Sequence, residues 1–145
     1  MRGFEIANLW GSDETHRFPD NGGPSSYRNF FPPIGGYRFL MFSVPPDNVG
    51  TETNSEDVDQ VGDMERLMPG ALATFDLEVP GMHRSATVDL LYVIEGSCEL
   101  ELDDGARIEL NQGDSLVQSG TMHAWRNPNQ DMCRIIAVTV GAQQS

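Results

Sequence analysis

Apolar and polar residues alternate with period two through most of the second half of the chain. The alternation is cleanest in Ser97–Leu102, where Cys98, Leu100 and Leu102 fall on one face and Glu99 and Glu101 on the other. Period two marks a strand with one buried face. Arg107–Leu110 repeats it, with Ile108 and Leu110 inward. Between the two, Asp103-Asp104-Gly105 supplies a hairpin turn with Gly where positive φ is wanted. Tyr37–Val44 is aromatic and aliphatic and stops at Pro45-Pro46, and Thr87–Glu95 is a nearly continuous apolar run that stops at Gly96. Ala71–Val79, Ser115–Gln118, Met122–Asn127 and Cys133–Val140 complete the predicted strands, and Met64–Met68 has room for one helical turn before Pro69-Gly70. Short strands separated by frequent turn signals, with no long helical period, predict an all-β sandwich or barrel.

Two segments break the pattern. Residues 1–36 show little periodicity and are punctuated by Pro and Gly, yet they carry Phe4, Trp10, Phe18, Tyr27, Phe30 and Phe31. A disordered tail would be poor in aromatics. The segment therefore reads as an arm, 1–36, packing on the 37–145 barrel or on a second subunit. Residues 47–63 are polar and acidic and predict a surface loop, with a lid over a pocket mouth as the sharper reading.

Composition narrows the class. A chain of 145 residues fits one domain with a sizeable core. No apolar run reaches the roughly 20 residues that cross a bilayer, and no signal-like stretch follows Met1, so a cytoplasmic protein is expected. The net charge is -13 and the nine basic residues are all Arg, without a cluster, which argues against nucleic acid and anionic membranes as partners. Cys98 and Cys133 lie in predicted strands without close spacing and read as buried small apolar residues.

The candidate chemistry lies between Gly81 and Asn127. Equal parity puts His83, Ser85, Thr87 and Asp89 on one face of one run, and His123 and Trp125 on one face of another. Two imidazoles and a carboxylate converging in a barrel could hold a divalent metal (Fe, Mn, Ni, Cu or Zn) with positions left open. Without metal, either His could act as general acid or base, with Asp89 orienting or charging it. A buried Asp89 needs a partner, and a metal, Arg84, Arg126 or a backbone donor could each supply one. Read blandly, His83 is a polar group at a strand entrance, Trp125 is core and Asp114 caps a turn.

The strings VIEGSCELELDDG and GDSLVQSGTMHAWRN resemble the cupin family. Counting back from Gly96 along the first cupin motif, Asp89 takes the acidic position, Ser85 the second His position and His83 the first. Gly113, Gly120, His123 and Asn127 fit the second motif, with its Gly-to-Gly segment one residue short and without the Pro. The resemblance covers about Ala71 to Gly141 and implies a cupin-type double-stranded β-helix (jelly-roll) barrel with an aromatic-rich N-terminal arm. It implies a site in which Ser85 replaces one His ligand and Asp89 replaces Glu, leaving His83, Asp89 and His123 as metal ligands and catalytic residues. Ser85, Thr87, Met122 and Trp125 would line the substrate pocket.

The function so implied is an enzyme acting on a small organic molecule, aromatic or polyketide-like. It would be a metal-dependent oxygenase or a metal-assisted lyase, isomerase or dehydratase, with no organic cofactor. A homodimer that pairs or exchanges N-terminal strands is expected. The alternative is a non-catalytic, metal-free cupin that binds a small ligand as sensor or carrier.

Overall fold

The structure is a computed structural model that describes residues 4–23, 27–49 and 60–144. Among the described residues eight strands form two antiparallel sheets. They are β1 (Glu5–Ser12), β2 (Tyr37–Val44), β3 (Thr87–Glu95), β4 (Ser97–Leu102), β5 (Arg107–Asn111), β6 (Ser115–Ser119), β7 (His123–Arg126) and β8 (Cys133–Gly141). The larger sheet runs β1-β2-β8-β3-β6 and the smaller β5-β4-β7. Leu40, Phe42, Leu91, Val93, Ile135 and Ala137 of the first meet Cys98, Leu100 and Leu110 of the second in one core. This is the jelly-roll barrel that the alternation and the motifs predict. One helix, α1 (Gln60–Leu67), precedes the barrel strands of the second half. No helix among the described residues is long and apolar enough to cross a membrane.

Turn chemistry sets the order of strands. Gly96 has φ 76°, and a Cβ there would lie 2.5 Å from the Met132 carbonyl oxygen, so only Gly lets β3 turn into β4 at this point. Gly105, at φ 85°, closes the β4–β5 hairpin through bonds between Leu102 and Ala106 and from Gly105 N–H to the Leu102 carbonyl.

Two expectations need correction. Ala71–Val79 is not a strand. It begins with a 3-10 turn, Ala71–Thr74, in which Thr74 Oγ1 bonds the Ala71 carbonyl at 2.6 Å. Asp76 then accepts the Glu78 N–H at 2.8 Å, a local Asx bond that competes with strand pairing. Leu77 is left 97% exposed, so the apolar alternation there faces solvent rather than a core. The arm holds a strand the pattern missed: β1 pairs antiparallel with β2 of its own chain, from Glu5↔Ser43 to Ser12↔Tyr37. A bulge between Asn8 and Trp10 breaks its alternation, which hid it from a period-two search. Ile108 faces inward beside its partner Leu100, as the alternation predicts, but β5 is an edge strand and leaves it 37% exposed. Most of the expected 47–63 loop, and with it the lid, lies outside the described residues.

Arg38 anchors the arm. It is buried, and its guanidinium bonds Asp13 at 2.5 Å and the carbonyls of Ser12, Asn29 and Tyr37 while lying 3.9 Å over the Tyr27 ring. A buried charge met from every side is stable only with such a set of acceptors.

Candidate functional site

The two histidines meet. His83 and His123 exchange both backbone hydrogen bonds at 2.9 Å, the close pairing of an antiparallel bridge, so their side chains leave the backbone on one face. Their rings lie 4.3 Å apart between centroids, tilted by 55°. His123 is placed by β7, which pairs with β4 so that His123 faces Leu102. His83 is held in the segment before β3, stacked on Phe75 at 4.8 Å. Trp125 closes the far side of His123 at 6.3 Å and packs against Phe42 at 5.4 Å, so it is both core and site wall.

Each imidazole has its tautomer set. His83 Nδ1 lies 3.0 Å from the Gly81 carbonyl oxygen and His123 Nδ1 lies 2.8 Å from that of Thr121. A carbonyl can only accept, so both Nδ1 atoms carry the proton, and in the neutral ring Nε2 keeps a lone pair. Burial, and secondarily the charge of His123, pulls His83 down to about 4 from the ordinary 6.5. Burial lowers His123 as well, against the opposing pull of the Thr121 carbonyl. At neutral pH the site is therefore a pair of neutral imidazoles with two basic nitrogens.

Asp89 sits elsewhere in the network. Ser85, Thr87 and Asp89 are buried and share the inner face of the β3 segment, as parity predicts. Thr87 Oγ1 donates to Asp89 Oδ1 at 2.7 Å, which leaves Ser85 Oγ as the donor to Thr87 at 2.8 Å. Burial raises Asp89 to about 6, and the Thr87 bond offsets part of that. Arg126, one of the partners expected for Asp89, is committed to Glu101 at 2.6 Å and the Pro80 carbonyl at 3.0 Å. Met122 is half-buried beside His123. Asn127 is fully buried as a clamp, donating to the carbonyls of Val44 and Asp131 and accepting from Asn129 N–H.

Two further residues belong to this end of the barrel. Gln118 and Thr139 flank Asp89 on β6 and β8 and are 3% and 5% exposed. Gln118 donates to Thr121 through both its carbonyl and its hydroxyl, tying β6 to the segment that holds His123. Thr139 Oγ1 is buried and finds no hydrogen-bond partner among the described residues. Both are polar residues at inward positions of apolar strands, a signal present in SLVQS and CRIIAVTV.

The metal implied by the motifs finds two suitable donors here and lacks a third. The imidazoles present Nε2 with Nδ1 pinned to a carbonyl, the arrangement typical of metal-ligating histidine. Asp89 is engaged by Thr87, Ser85 is a poor ligand, and no group of three His, Cys, Asp or Glu among the described residues is placed to hold an ion. The His83–Asp89–His123 set does not fit a metal as a three-donor centre.

Comparison with known proteins agrees with the barrel. The curated relatives include oryzines biosynthesis cluster protein J of Aspergillus oryzae, 49% identical over 51 residues, 35% of this chain and 28% of that protein. They also include the cupin-domain-containing oxidoreductase srdD of Neurospora crassa, 44% identical over 46 residues, 32% of this chain and 24% of that protein. The matched stretches thus span only about a quarter of those relatives. Among solved structures, a cupin 2 conserved barrel domain protein from Salinispora arenicola superposes with TM-score 0.51 at 17% identity, over 96% of this chain and 76% of that one. At this identity the likeness speaks for the fold alone. The family model described as cupin domain matches residues 64–139, just over half of the chain, and the chain belongs to that family.

Proposed function

We propose that this cupin is an enzyme that binds a small organic molecule, aromatic or polyketide-like, at the polar end of its barrel and moves protons on it with the His83–His123 pair. One observation carries the reading: two imidazoles 4.3 Å apart, each with Nδ1–H fixed on a carbonyl, so that both Nε2 lone pairs are left for a ligand. A neutral imidazole in a partly dry site can take a proton from a substrate C–H or O–H at Nε2 and return it to another atom. The second imidazole stabilises the imidazolium so formed by accepting a share of its proton at Nε2. Trp125 and Phe75 supply flat apolar walls on either side of the pair, which suits a planar substrate. The names of the curated relatives, a biosynthesis cluster protein and a cupin-domain-containing oxidoreductase, support small-molecule chemistry in the family without naming this chain's reaction.

A divalent cation on the two Nε2 atoms is the second reading, favoured by the pinned Nδ1 atoms. Bound there, it would polarise a substrate oxygen.

The test is ligand binding followed by conversion. A panel of small aromatic and polyketide-like compounds is screened by thermal shift, and each hit is followed by NMR for product. Binders lost in His83→Gln and His123→Gln, and conversion in the wild type, are the expected results. Binding without conversion would make the chain a carrier or sensor, and binding indifferent to both variants would place the site elsewhere. Elemental analysis of protein purified without added metal separates the two readings: a stoichiometric metal lost in His123→Gln supports the second.

A further inference from the structure

The hairpin that carries His83 ends in an exposed tip. Its two sides, Phe75 and His83, meet in an antiparallel bridge, and Asp76 N–H bonds the Met82 carbonyl at 2.7 Å. The tip closes through Met82 N–H on the Val79 carbonyl at 3.1 Å, with Pro80 and Gly81 between them. Pro at the second position and Gly at φ 80° at the third make this a type II turn. Residues 77–81 are all exposed, Leu77 by 97%, so packing does little to fix the tip. One peptide plane there has two tasks. Its N–H, on Met82, closes the turn, and its carbonyl, on Gly81, accepts the His83 Nδ1–H at 3.0 Å. The geometry of the turn and the tautomer of His83 are therefore set together.

We propose that Arg126 is a positioning residue for His83, an inference that rests on the proton transfer proposed for the His83–His123 pair. Arg126 shares β7 with His123, and its guanidinium reaches the tip from the barrel. Nη2 donates to the Pro80 carbonyl at 3.0 Å, and a Cβ on Gly81 would lie 3.0 Å from Nη1. The Pro80 carbonyl belongs to the central peptide of the turn, whose direction separates type II from type I. Arg126 holds that peptide in the type II direction. Glu101 on β4 holds Arg126 in turn, accepting from Nε at 2.6 Å, and Arg107 meets Glu101 at 3.7 Å. Ion pairs open to solvent contribute modestly to stability, and this one is aimed at a turn rather than at the core. With the turn released, the Gly81 carbonyl no longer faces Nδ1, and the neutral ring carries its proton on either nitrogen. Each ring protonated at Nε2 has lost the lone pair that takes the substrate proton.

Nitrogen-15 NMR of the histidine rings in the full chain tests this without a substrate. At neutral pH wild-type His83 should show one protonated nitrogen, Nδ1, and one lone-pair nitrogen, Nε2. In Arg126→Leu the two resonances should move toward each other as the tautomers mix, while His123, held by the Thr121 carbonyl, keeps its pattern. Arg126→Lys restores a donor to the Pro80 carbonyl and should recover most of the wild-type pattern. Glu101→Gln loosens Arg126 without touching the hairpin and should give a smaller shift in the same direction, which decides the matter if Arg126→Leu does not fold. Glu99→Gln, whose partner is Arg107, should leave the spectrum unchanged. On a compound that the wild type converts, Arg126→Leu should lower kcat about three- to tenfold with KM little changed. A wild-type His83 that already mixes its tautomers overturns the inference, as does a His83 spectrum unmoved in folded Arg126→Leu. A shifted spectrum with full turnover upholds the positioning of His83 by Arg126 and counts instead against proton transfer by His83.

Discussion

Two halves of the barrel interior are equally buried and chemically opposite. Along the inner face of β3, Leu91 and Val93 are 8% and 2% exposed, while Asp89 and Thr87 are 7% and 2% exposed. Across the sheet the division continues: Ala137 and Ile135 face the apolar pair, Thr139 faces Asp89. Removing an aliphatic side chain from water stabilises the fold by about 1.5–3 kcal/mol. Burying a carboxyl with one hydroxyl donor, or a hydroxyl with no partner, costs free energy instead. The apolar half therefore accounts for stability, and the polar half carries a cost that the proposed function assigns to what it binds or transfers.

The largest expected effects break the comparison from both sides. His123→Gln removes one basic nitrogen from the pair, and turnover should fall by about 10²–10⁴-fold. The backbone bridge between His83 and His123 does not depend on the ring, so melting temperature should move little. Leu100→Ala does the reverse. Leu100 is 1% exposed in the core, and its truncation should cost about 2–5 kcal/mol in urea unfolding while turnover per folded molecule stays near wild type. A large loss of stability in His123→Gln, or of specific activity in Leu100→Ala, would dissolve the division between the halves.

Asp89→Asn sharpens it. The folded Asp89 carboxyl titrates near 6 against an ordinary 3.8, so the folded state resists its ionisation. That penalty is full above pH 6 and absent below about pH 4. Asparagine keeps an oxygen for Thr87 and removes the charge, so the variant should be more stable than wild type at pH 8 by about 3 kcal/mol. His83 works with the opposite sign. Its folded value is about 4 against 6.5, so it costs nothing above pH 6.5 and destabilises progressively as pH falls toward 4. In the wild type Asp89 offsets that acid loss. The variant should therefore lose stability more steeply between pH 6.5 and 4, read from urea midpoints at several pH values. A variant destabilised at pH 8 would mean that the Asp89 charge has a structural partner.

Some of this was readable in the chain and some was not. The β3–β4–β5 stretch was readable because one side of each strand is buried and the turns carry their own Gly signals. Ala71–Val79 was misread because alternation alone cannot tell a strand from a turn stabilised by Asp76 and Thr74. The β1 strand went unseen because it lies at a sheet edge, where little of its surface is buried and a bulge shifts its phase. At the site, parity put Ser85, Thr87 and Asp89 together, and the motif resemblance brought His83 to His123. What spacing could not supply was the hydrogen-bond assignment: that Asp89 answers to Thr87, that both Nδ1 atoms are pinned, and that Thr139 is left over.

The smallest expected effect concerns that leftover hydroxyl. Thr139→Val swaps Oγ1 for a methyl of similar size at a position 5% exposed. If the hydroxyl has no role, the change removes an unsatisfied buried group, and stability should rise by about 1 kcal/mol with activity untouched. If the polar half is shaped for a ligand, Oγ1 is a contact that ligand completes beside Asp89. Stability should then still rise, while affinity for the bound compound drops by about five- to tenfold, the worth of one neutral hydrogen bond. Calorimetric titration of a thermal-shift hit into both proteins separates the outcomes. Only the second ties the cost of the polar half to what it binds.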